Sequence, residues 1–204
     1  TDLVESSLNR LRVDHLYGLL LHDPDVLFTK EGSRLATELE TLRHRGLVER
    51  IGVSIYSPGQ LDRLLEALQV DLVQAPLNLL DQRMLSTGWL ERLKTAGVEF
   101  HARSIFLQGL LLTDPGKLPS SFLKHRKTFE RVAEWRKTEN LDPIDAALNF
   151  VLGLPQVDHV VVGVDNVAQL LEIVNTAECS QDIDAAGLAA TELAIIDPRS
   201  WARQ

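Results

Sequence analysis

Leu19-Leu20-Leu21-His22-Asp23-Pro24-Asp25 is the stretch of sequence that decides the fold. An apolar run of strand length ends here in a titratable side chain, and a proline turn follows it. An α/β barrel presents a catalytic group in this way, at the carboxyl ends of its strands. We therefore expect a buried strand over residues 16–22, with the imidazole of His22 at its exposed end.

Strand and helix patterns alternate along the rest of the chain. An amphipathic helix is predicted over residues 2–12, before the first strand, and four more strands are predicted at 50–55, 71–75, 98–104 and 159–162. The other predicted helices cover residues 29–45, 57–68, 88–96, 120–139, 143–154, 166–176 and 187–196. Alternation at this spacing indicates strands that run parallel in one sheet.

The expected fold class is α/β, a parallel (β/α)8 barrel of the TIM type. A closed barrel has eight βα units in about 250 residues, whereas this chain of 204 residues shows five. We expect a single domain over residues 1–204 that forms the C-terminal portion of a barrel. An open, doubly wound sheet is the alternative. It would favour a glycine-rich phosphate turn after the first strand, and residues 22–25 are not one.

Composition excludes several classes of function. The net charge is -8 and no basic cluster is present, which argues against binding to nucleic acid. Cys179 is the only cysteine, so no intrachain disulfide can form, as is usual in a reducing compartment. No apolar run reaches the roughly 18 residues of a membrane span. A cytoplasmic protein without membrane contact is expected.

Alternation within the strands predicts which side chains share a surface, because successive residues point to opposite faces. One face of each strand is apolar and suits covering helices; Tyr17 falls on this face by parity. The opposite faces end in four polar side chains: His22, Ser54, Gln74 and Arg103. In a barrel these four would converge on one mouth.

Deeper on the same inward face, Arg50, Glu99 and His101 predict a hydrogen-bonded or ionic layer rather than a site. A metal site at His22, Asp23 and His101 would resemble hydrolase barrels. His101 lies deeper along its strand than His22 does, too deep to share an ion with it, and the chain has no His-x-His pair. No metal is expected.

These residues, in this order, resemble the aldo-keto reductase family, and its bacterial members more than the eukaryotic aldose-reductase-like ones. The resemblance covers nearly the whole chain. It rests on five ordered motifs: residues 8–16 with 19–22, 46–54, Gln74 with Asn78, 102–104 with 107–111, and 146–152 with 160–163.

The resemblance implies an enzyme that reduces small aldehydes or ketones to alcohols with NADPH or NADH, NADPH being more usual in the family. It implies that His22 is the histidine of the family's Asp-Tyr-Lys-His tetrad. The other three belong to βα units that precede this chain, so we expect the chain to be incomplete and inactive alone. The implied cofactor contacts are Ser54, Gln74, Arg103, Ser104, Leu107, Gln108, Gly109, Gly163, Asp165 and Gln169.

Three positions depart from the family's pattern. Ile55 stands where many members carry an asparagine that binds the carboxamide, and Arg103 stands where an aromatic ring often stacks on the nicotinamide. After the last strand no lysine or arginine is present to pair with a 2′-phosphate, and Asp165 would repel one. The choice between NADPH and NADH therefore stays open.

Two functions are compatible with the sequence. An oxidoreductase whose N-terminal units are missing from this chain is favoured, because the inward polar set is kept. The alternative is a truncated, catalytically inactive module for binding or assembly, in which a homodimer or a partner covers the exposed barrel edges. The physiological substrate is not specified, since residues 114–121 indicate only a polar, flexible loop.

Overall fold

The computed structural model describes residues 2–179 and 181–203, and its strands form a five-stranded parallel sheet. The strands are β1 (Leu16–Leu21), β2 (Val48–Ser54), β3 (Leu72–Pro76), β4 (Glu99–Arg103) and β5 (His159–Val160). Their order in the sheet follows their order in the chain. A doubly wound sheet reverses its strand order at a switch point. This sheet has no reversal, so the predicted barrel-type α/β fold is confirmed and the doubly wound alternative is wrong.

Helices connect and flank these strands. In the described ranges they are α1 (Asp2–Leu11), α2 (Gly32–His44), α3 (Leu61–Ala67), α4 (Arg83–Ser86), α5 (Trp89–Thr95), α6 (Arg126–Thr138), α7 (Pro143–Leu152), α8 (Val167–Glu178) and α9 (Leu193–Ile196). The 3-10 turns Pro58–Gln60 and Ser120–His125 replace the first turns of two predicted helices. These turns shorten the helices without changing their order.

The predicted helix over residues 187–196 is wrong. Residues Ala186–Leu188 form a 3-10 turn, and only the four residues of α9 are helical. The backbone N–H of Ala190 donates to the carbonyl of Leu80 at 2.8 Å. This bond to a distant loop replaces a bond within a helix, so tertiary contact overrides the local helical pattern.

Local signals set several element ends. Gly46 has φ 70°, a left-handed conformation that glycine adopts without steric cost, and it follows the end of α2. The side chain of Asn166 accepts a hydrogen bond from the N–H of Gln169 at 3.0 Å and caps α8. Pro143 occupies the first turn of α7, where its missing N–H costs nothing.

The concave face of the sheet is tightly filled in its middle layer. A Cβ on Gly52 would lie 2.6 Å from Cγ of Leu72, and one on Gly18 would lie 2.8 Å from its Cδ2. Leu72 is fully buried and occupies the space that the two glycines leave. The opposite, convex face packs on the helices, and Ile51, Val53, Val73, Phe100 and Ala102 are fully buried there.

Two aspartates clamp neighbouring strands at their amino ends. Asp71, before β3, accepts the N–H of Ile51 in β2 at 2.8 Å. Asp158, before β5, accepts the N–H of Phe100 in β4 at 2.8 Å and the ammonium of Lys94 at 3.2 Å. Burial alone would raise the pKa of Asp158, but the hydrogen bonds from Phe100 and Lys94 outweigh burial and hold this pKa below its usual value.

Apolar side chains are exposed on α1, which precedes β1, and on α8, which follows β5. They include Leu3 and Leu11 of α1 and Val167 and Leu171 of α8. The sequence analysis expected exposed sheet edges, because five strands do not close a barrel. That a homodimer or a partner covers these edges stays a prediction. No helix in the described residues is long and apolar enough to cross a membrane.

The clamp at Asp158 gives a test of stability. Asp158→Asn should lower the free energy of unfolding at pH 7 by about 1–3 kcal/mol, because it weakens a charged acceptor for a backbone N–H. The folded pKa of Asp158 lies below the unfolded one, so its contribution is complete above about pH 4 and is lost as pH falls through the folded pKa. Urea unfolding at pH 7 and at pH 3 measures both effects.

The matched control for this test is Asp62→Asn, which removes an exposed ion pair with Arg92. This change should alter the free energy of unfolding by less than about 0.5 kcal/mol. Equal unfolding midpoints for Asp158→Asn and the unchanged chain at pH 7 would show that Asp158 does not clamp the strands.

Candidate functional site

Three of the four polar residues expected at the mouth lie together on the concave face. Ser54 and Gln74 are paired in the register of β2 and β3, and Ser54 Oγ donates to Gln74 Oε1 at 3.4 Å. Arg103 Nη2 donates to the carbonyl of Ile55 at 2.9 Å, across the ends of β2 and β4. The mouth therefore has a polar lining that these strands share.

The fourth residue, His22, lies one position beyond the end of β1 and is exposed. The strand ends at Leu21 rather than at His22, so the imidazole belongs to the loop at the strand's carboxyl end. This is the end at which an α/β barrel carries its reactive groups. The position of His22 agrees with the sequence analysis, and its role stays a prediction.

Tyr56 and two arginines form a cluster beside the mouth. The Cζ atoms of Arg103 and Arg199 lie 4.4 Å and 4.1 Å from the centroid of the Tyr56 ring. Arg83 Nη2 donates to the carbonyl of Tyr56 at 2.9 Å and is itself held by Asp81 at 2.8 Å. Sequence analysis named only Arg103 here. The others come from loops and from the C-terminal segment, so strand parity gave no signal for them.

The side chain of Arg103 is partly buried at the mouth. Its Nη1 lies 3.3 Å from Ser104 Oγ, and its Nε is buried without a hydrogen-bond partner. Burial lowers the pKa of the guanidinium, which nevertheless stays charged in proteins. An unpaired buried N–H at a mouth is a place where a ligand acceptor would be stabilised.

The loop after β4 has an unusual backbone. Ser104, Leu107 and Gln108 have φ values of 58°, 49° and 54°, and Gly109 follows with 83°. Non-glycine residues in this region cost energy and are retained where the surrounding structure fixes them. Asn78 supplies part of that support, because it is fully buried and its Nδ2 donates to the carbonyl of Ser104 at 3.1 Å.

A cleft of about 590 Å³ opens between this loop and the segment that joins β5 to α8. Its lining includes six of the residues that sequence analysis assigned to the cofactor: Ser104, Gln108, Gly109, Gly163, Asp165 and Gln169. The side chain of Leu107 does not line the cleft; it is fully buried in the core and anchors the loop. Ser54, Gln74 and Arg103 do not line it either and belong to the mouth.

Sequence analysis missed the helical wall of the cleft. Ile144 of α7 and Glu172 and Ile173 of α8 contribute to it. The signal was available in part, because residues 169, 172 and 173 share one helix face. The charged lining residues of this cleft are Asp165 and Glu172, and no lysine or arginine lines it among the described residues. Its charge is therefore negative.

The deeper ionic layer is present, although its side chains are only partly buried. Arg50 Nε lies 3.2 Å from Glu99 Oε1, and His101 Nε2 lies 3.3 Å from Glu99 Oε2. Burial would raise the pKa of Glu99, but hydrogen bonds from Tyr17 and His101 and the charge of Arg50 outweigh it and lower this pKa.

The prediction that Tyr17 faces the helices is wrong. Its hydroxyl donates to Glu99 Oε1 at 2.5 Å, and its ring centroid lies 6.4 Å from that of His159. Tyr17 is near the start of β1, which has only one neighbouring strand in the described sheet. Its side chain can therefore reach around the end of the strand. The carboxylate of Glu99 draws it to the concave face.

Comparison with known proteins identifies this arrangement. A model of the Aldo/keto reductase family matches residues 1–187. The chain belongs to this family. Oxidoreductase YdhF of Escherichia coli is 30% identical over 161 residues, which are 78% of this chain and 51% of that protein. The uncharacterized oxidoreductase YqkF of Bacillus subtilis is 24% identical over 185 residues, 86% of this chain and 59% of that protein.

Solved aldo/keto reductases share the fold. The holo form of aldo-keto reductase AKR11C1 from Bacillus halodurans superposes with a TM-score of 0.76 at 20% identity, over 98% of this chain and 69% of that one. The thermostable aldo-keto reductase Tm1743 gives 0.67 at 22% identity, over 91% and 62%. This aldo/keto reductase chain spans between half and three fifths of the length of YdhF and YqkF. Its sheet matches part of a TIM-type barrel.

Asn78 is the residue by which this site can be tested for rigidity. Asn78→Ala should lower the free energy of unfolding by at least about 1–3 kcal/mol, because the N–H groups of Leu80 and Asp81 both donate to Asn78 Oδ1 and would lose their acceptor. It should also speed amide exchange at residues 104–109, whose support is removed.

Asn9→Ala, on the exposed face of α1, is the control and should change neither quantity appreciably. Urea unfolding and hydrogen exchange read by mass spectrometry measure the two effects. Unchanged exchange at residues 104–109 in Asn78→Ala would contradict the assigned role of Asn78.

Proposed function

We propose that the protein is an NAD(P)H-dependent oxidoreductase that reduces small aldehydes or ketones, and that this chain carries the cofactor-binding part of its site. The cleft of about 590 Å³ carries the proposal, because six residues expected from the family resemblance line it. Pockets for small ligands usually measure about 300–1,000 Å³. A bound nicotinamide cofactor would supply the hydride.

The polar groups at the mouth fit a nicotinamide carboxamide. The hydrogen bond from Ser54 to Gln74 is long at 3.4 Å, so both side chains can exchange it for a bond to a ligand. The buried Nε of Arg103 offers a further donor without a protein partner. Ile55, next to Ser54 in the chain, is fully buried in the hydrophobic core, so its side chain offers no hydrogen bond to the carboxamide.

His22 is proposed to orient the substrate. Negative charge builds on the carbonyl oxygen as hydride reaches the carbon, and a neutral imidazole can donate a hydrogen bond to that oxygen. A reductase also needs an acid that delivers the proton. Neither tyrosine suits this role: Tyr17 contacts Glu99 near the amino ends of the strands, and Tyr56 is held between Arg103 and Arg199.

The isolated 204-residue chain is therefore expected to bind a nicotinamide nucleotide without turning over a carbonyl. Incubation with NADPH or NADH and 4-nitrobenzaldehyde should give no loss of nicotinamide absorbance beyond that of a blank without protein. Turnover by a mass-verified sample that disappears in His22→Ala would show that the chain already contains a complete catalytic set.

The negative cleft leads us to propose that NADH binds more tightly than NADPH. Each carboxylate near a 2′-phosphate costs about 1 kcal/mol at a few ångströms in water, which is about a fivefold loss of affinity. Asp165→Asn and Glu172→Gln should each strengthen NADPH binding by up to about fivefold and strengthen NADH binding by less, because NADH carries only the negative charge of its diphosphate. Titrations followed by the fluorescence of the reduced nicotinamide measure both constants.

Glu178→Gln is the matched control, since Glu178 is exposed at the end of α8 and does not line the cleft. Tighter binding of NADPH than of NADH by the unchanged chain would contradict the proposed preference. Failure to bind either nucleotide would instead favour a second candidate, a binding or assembly module, which the exposed apolar side chains of α1 and α8 support.

A further inference from the structure

A second group of polar and titratable side chains lies on β4 and β5, and His101 in this group is paired with Gln74 in the register of β3 and β4. Glu99 and His101 are two residues apart in β4 and so share a face, and His101 is paired directly with His159 in the register of β4 and β5. One donor atom from each of these three side chains lies within 4.8 Å of the others. The backbone register itself therefore brings two imidazoles and a carboxylate together.

We propose that Glu99, His101 and His159 form a binding site for a divalent transition-metal ion of the Zn²⁺ type. Imidazole ligands favour zinc, cobalt, nickel or copper over magnesium and calcium, which prefer oxygen ligands. Metal–ligand distances near 2.0–2.2 Å require donors about 3–4 Å apart. The present separations need only side-chain rotations to reach this, and water would complete the coordination.

The carboxylate is already oriented for this role. Tyr17 donates to Oε1 of Glu99, and the guanidinium of Arg50 lies beside the same oxygen at 3.2 Å. The other oxygen, Oε2, faces His101 Nε2 at 3.3 Å. The hydrogen bond from Tyr17 thus holds one oxygen and leaves the second one for an ion, as outer partners do in known metal sites.

The two imidazoles are also suitably arranged. The ring centroids of His101 and His159 lie 4.6 Å apart, with an angle of 75° between the rings. Non-parallel rings at this separation suit two ligands of one tetrahedral ion. His159 is exposed, so an ion can enter from solvent, while the side chain of His101 is only 12% exposed and shields the other side.

Arg50 sets the strength of the site. Its positive charge opposes a cation beside Glu99, and its Nε makes no hydrogen bond there despite the short distance. Arg50 is therefore expected to weaken metal binding. Substitution of Arg50 should therefore strengthen metal binding, whereas substitution of a ligand should weaken it. A variant that merely unfolds would weaken binding, so unfolding cannot explain a stronger affinity.

The site would be structural, because its ion would join two strands. Glu99 lies four residues before Arg103, about 13 Å along the strand, while His101 is paired directly with Gln74 at the mouth. β5 is two residues long, and a metal bridging His101 and His159 would fasten it to β4. Binding of the ion to the folded state alone would stabilise it. The proposal is independent of the cofactor cleft.

The experiment titrates the 204-residue chain with Zn²⁺ by calorimetry and with Co²⁺ by visible absorption. One ion per chain and a Co²⁺ spectrum of nitrogen–oxygen coordination are expected. Glu99→Gln, His101→Asn and His159→Asn should each weaken binding at least about tenfold, whereas Arg50→Met should strengthen it severalfold. His44→Asn, which changes an exposed histidine on α2, is the matched control and should leave the affinity unchanged.

Chemical modification of the histidines provides an independent test of the site. In the unchanged chain, Zn²⁺ should protect His101 and His159 from diethyl pyrocarbonate, as read by peptide mass mapping, and should leave His44 reactive. Any one of three results would overturn the site. The first is unchanged Zn²⁺ affinity in His159→Asn, and the second is weaker Zn²⁺ binding in Arg50→Met. The third is that Zn²⁺ does not change the extent of modification of His101 and His159.

Discussion

The parallel register of the five strands is the constraint on which the rest of the structure depends. Residues paired across parallel strands point to the same face, so each paired row of side chains forms a layer across the concave surface. One row runs from Ser54 through Gln74 and His101 to His159, and the row two residues earlier contains Gly52, Leu72 and Glu99. Gly18, Gly52 and Leu72 fill the concave face below the Ser54–Gln74 pair with apolar contact. The register thus aligns the polar ends of β2 and β3 with the two imidazoles of β4 and β5.

Rigidity at the mouth comes from buried hydrogen bonds rather than from the strands alone. Asn78 connects the turn after β3 to the loop after β4, because it accepts from Leu80 and Asp81 and donates to Ser104. Leu107 fixes the same loop from the core side. A loop with several left-handed residues is held in place in this way, and one wall of the cleft consequently has a defined shape.

Charge divides the carboxyl-terminal surface into two regions. The surroundings of Tyr56 contain three arginines, of which two are paired with carboxylates, while the cleft beside α8 contains Asp165 and Glu172. An aldo/keto reductase chain that covers 51–59% of its curated relatives carries both regions. A ligand spanning them would meet cationic and aromatic groups at one end and carboxylates at the other, and this asymmetry fixes the direction in which an elongated ligand fits best.

The sequence by itself determined the order of the strands, the parallel sheet, the position of His22 beyond an apolar strand, and the polar ends of β2, β3 and β4. Periodicity and parity are local properties, and a short stretch of chain contains them completely. Only the tertiary structure decided that Tyr17 reaches Glu99, 82 residues away, that Ala190 bonds to Leu80 instead of continuing a helix, and that His159 meets His101. These contacts depend on the curvature of the sheet and on which distant groups accept or donate a hydrogen bond. The residue pattern of a single segment specifies neither of these.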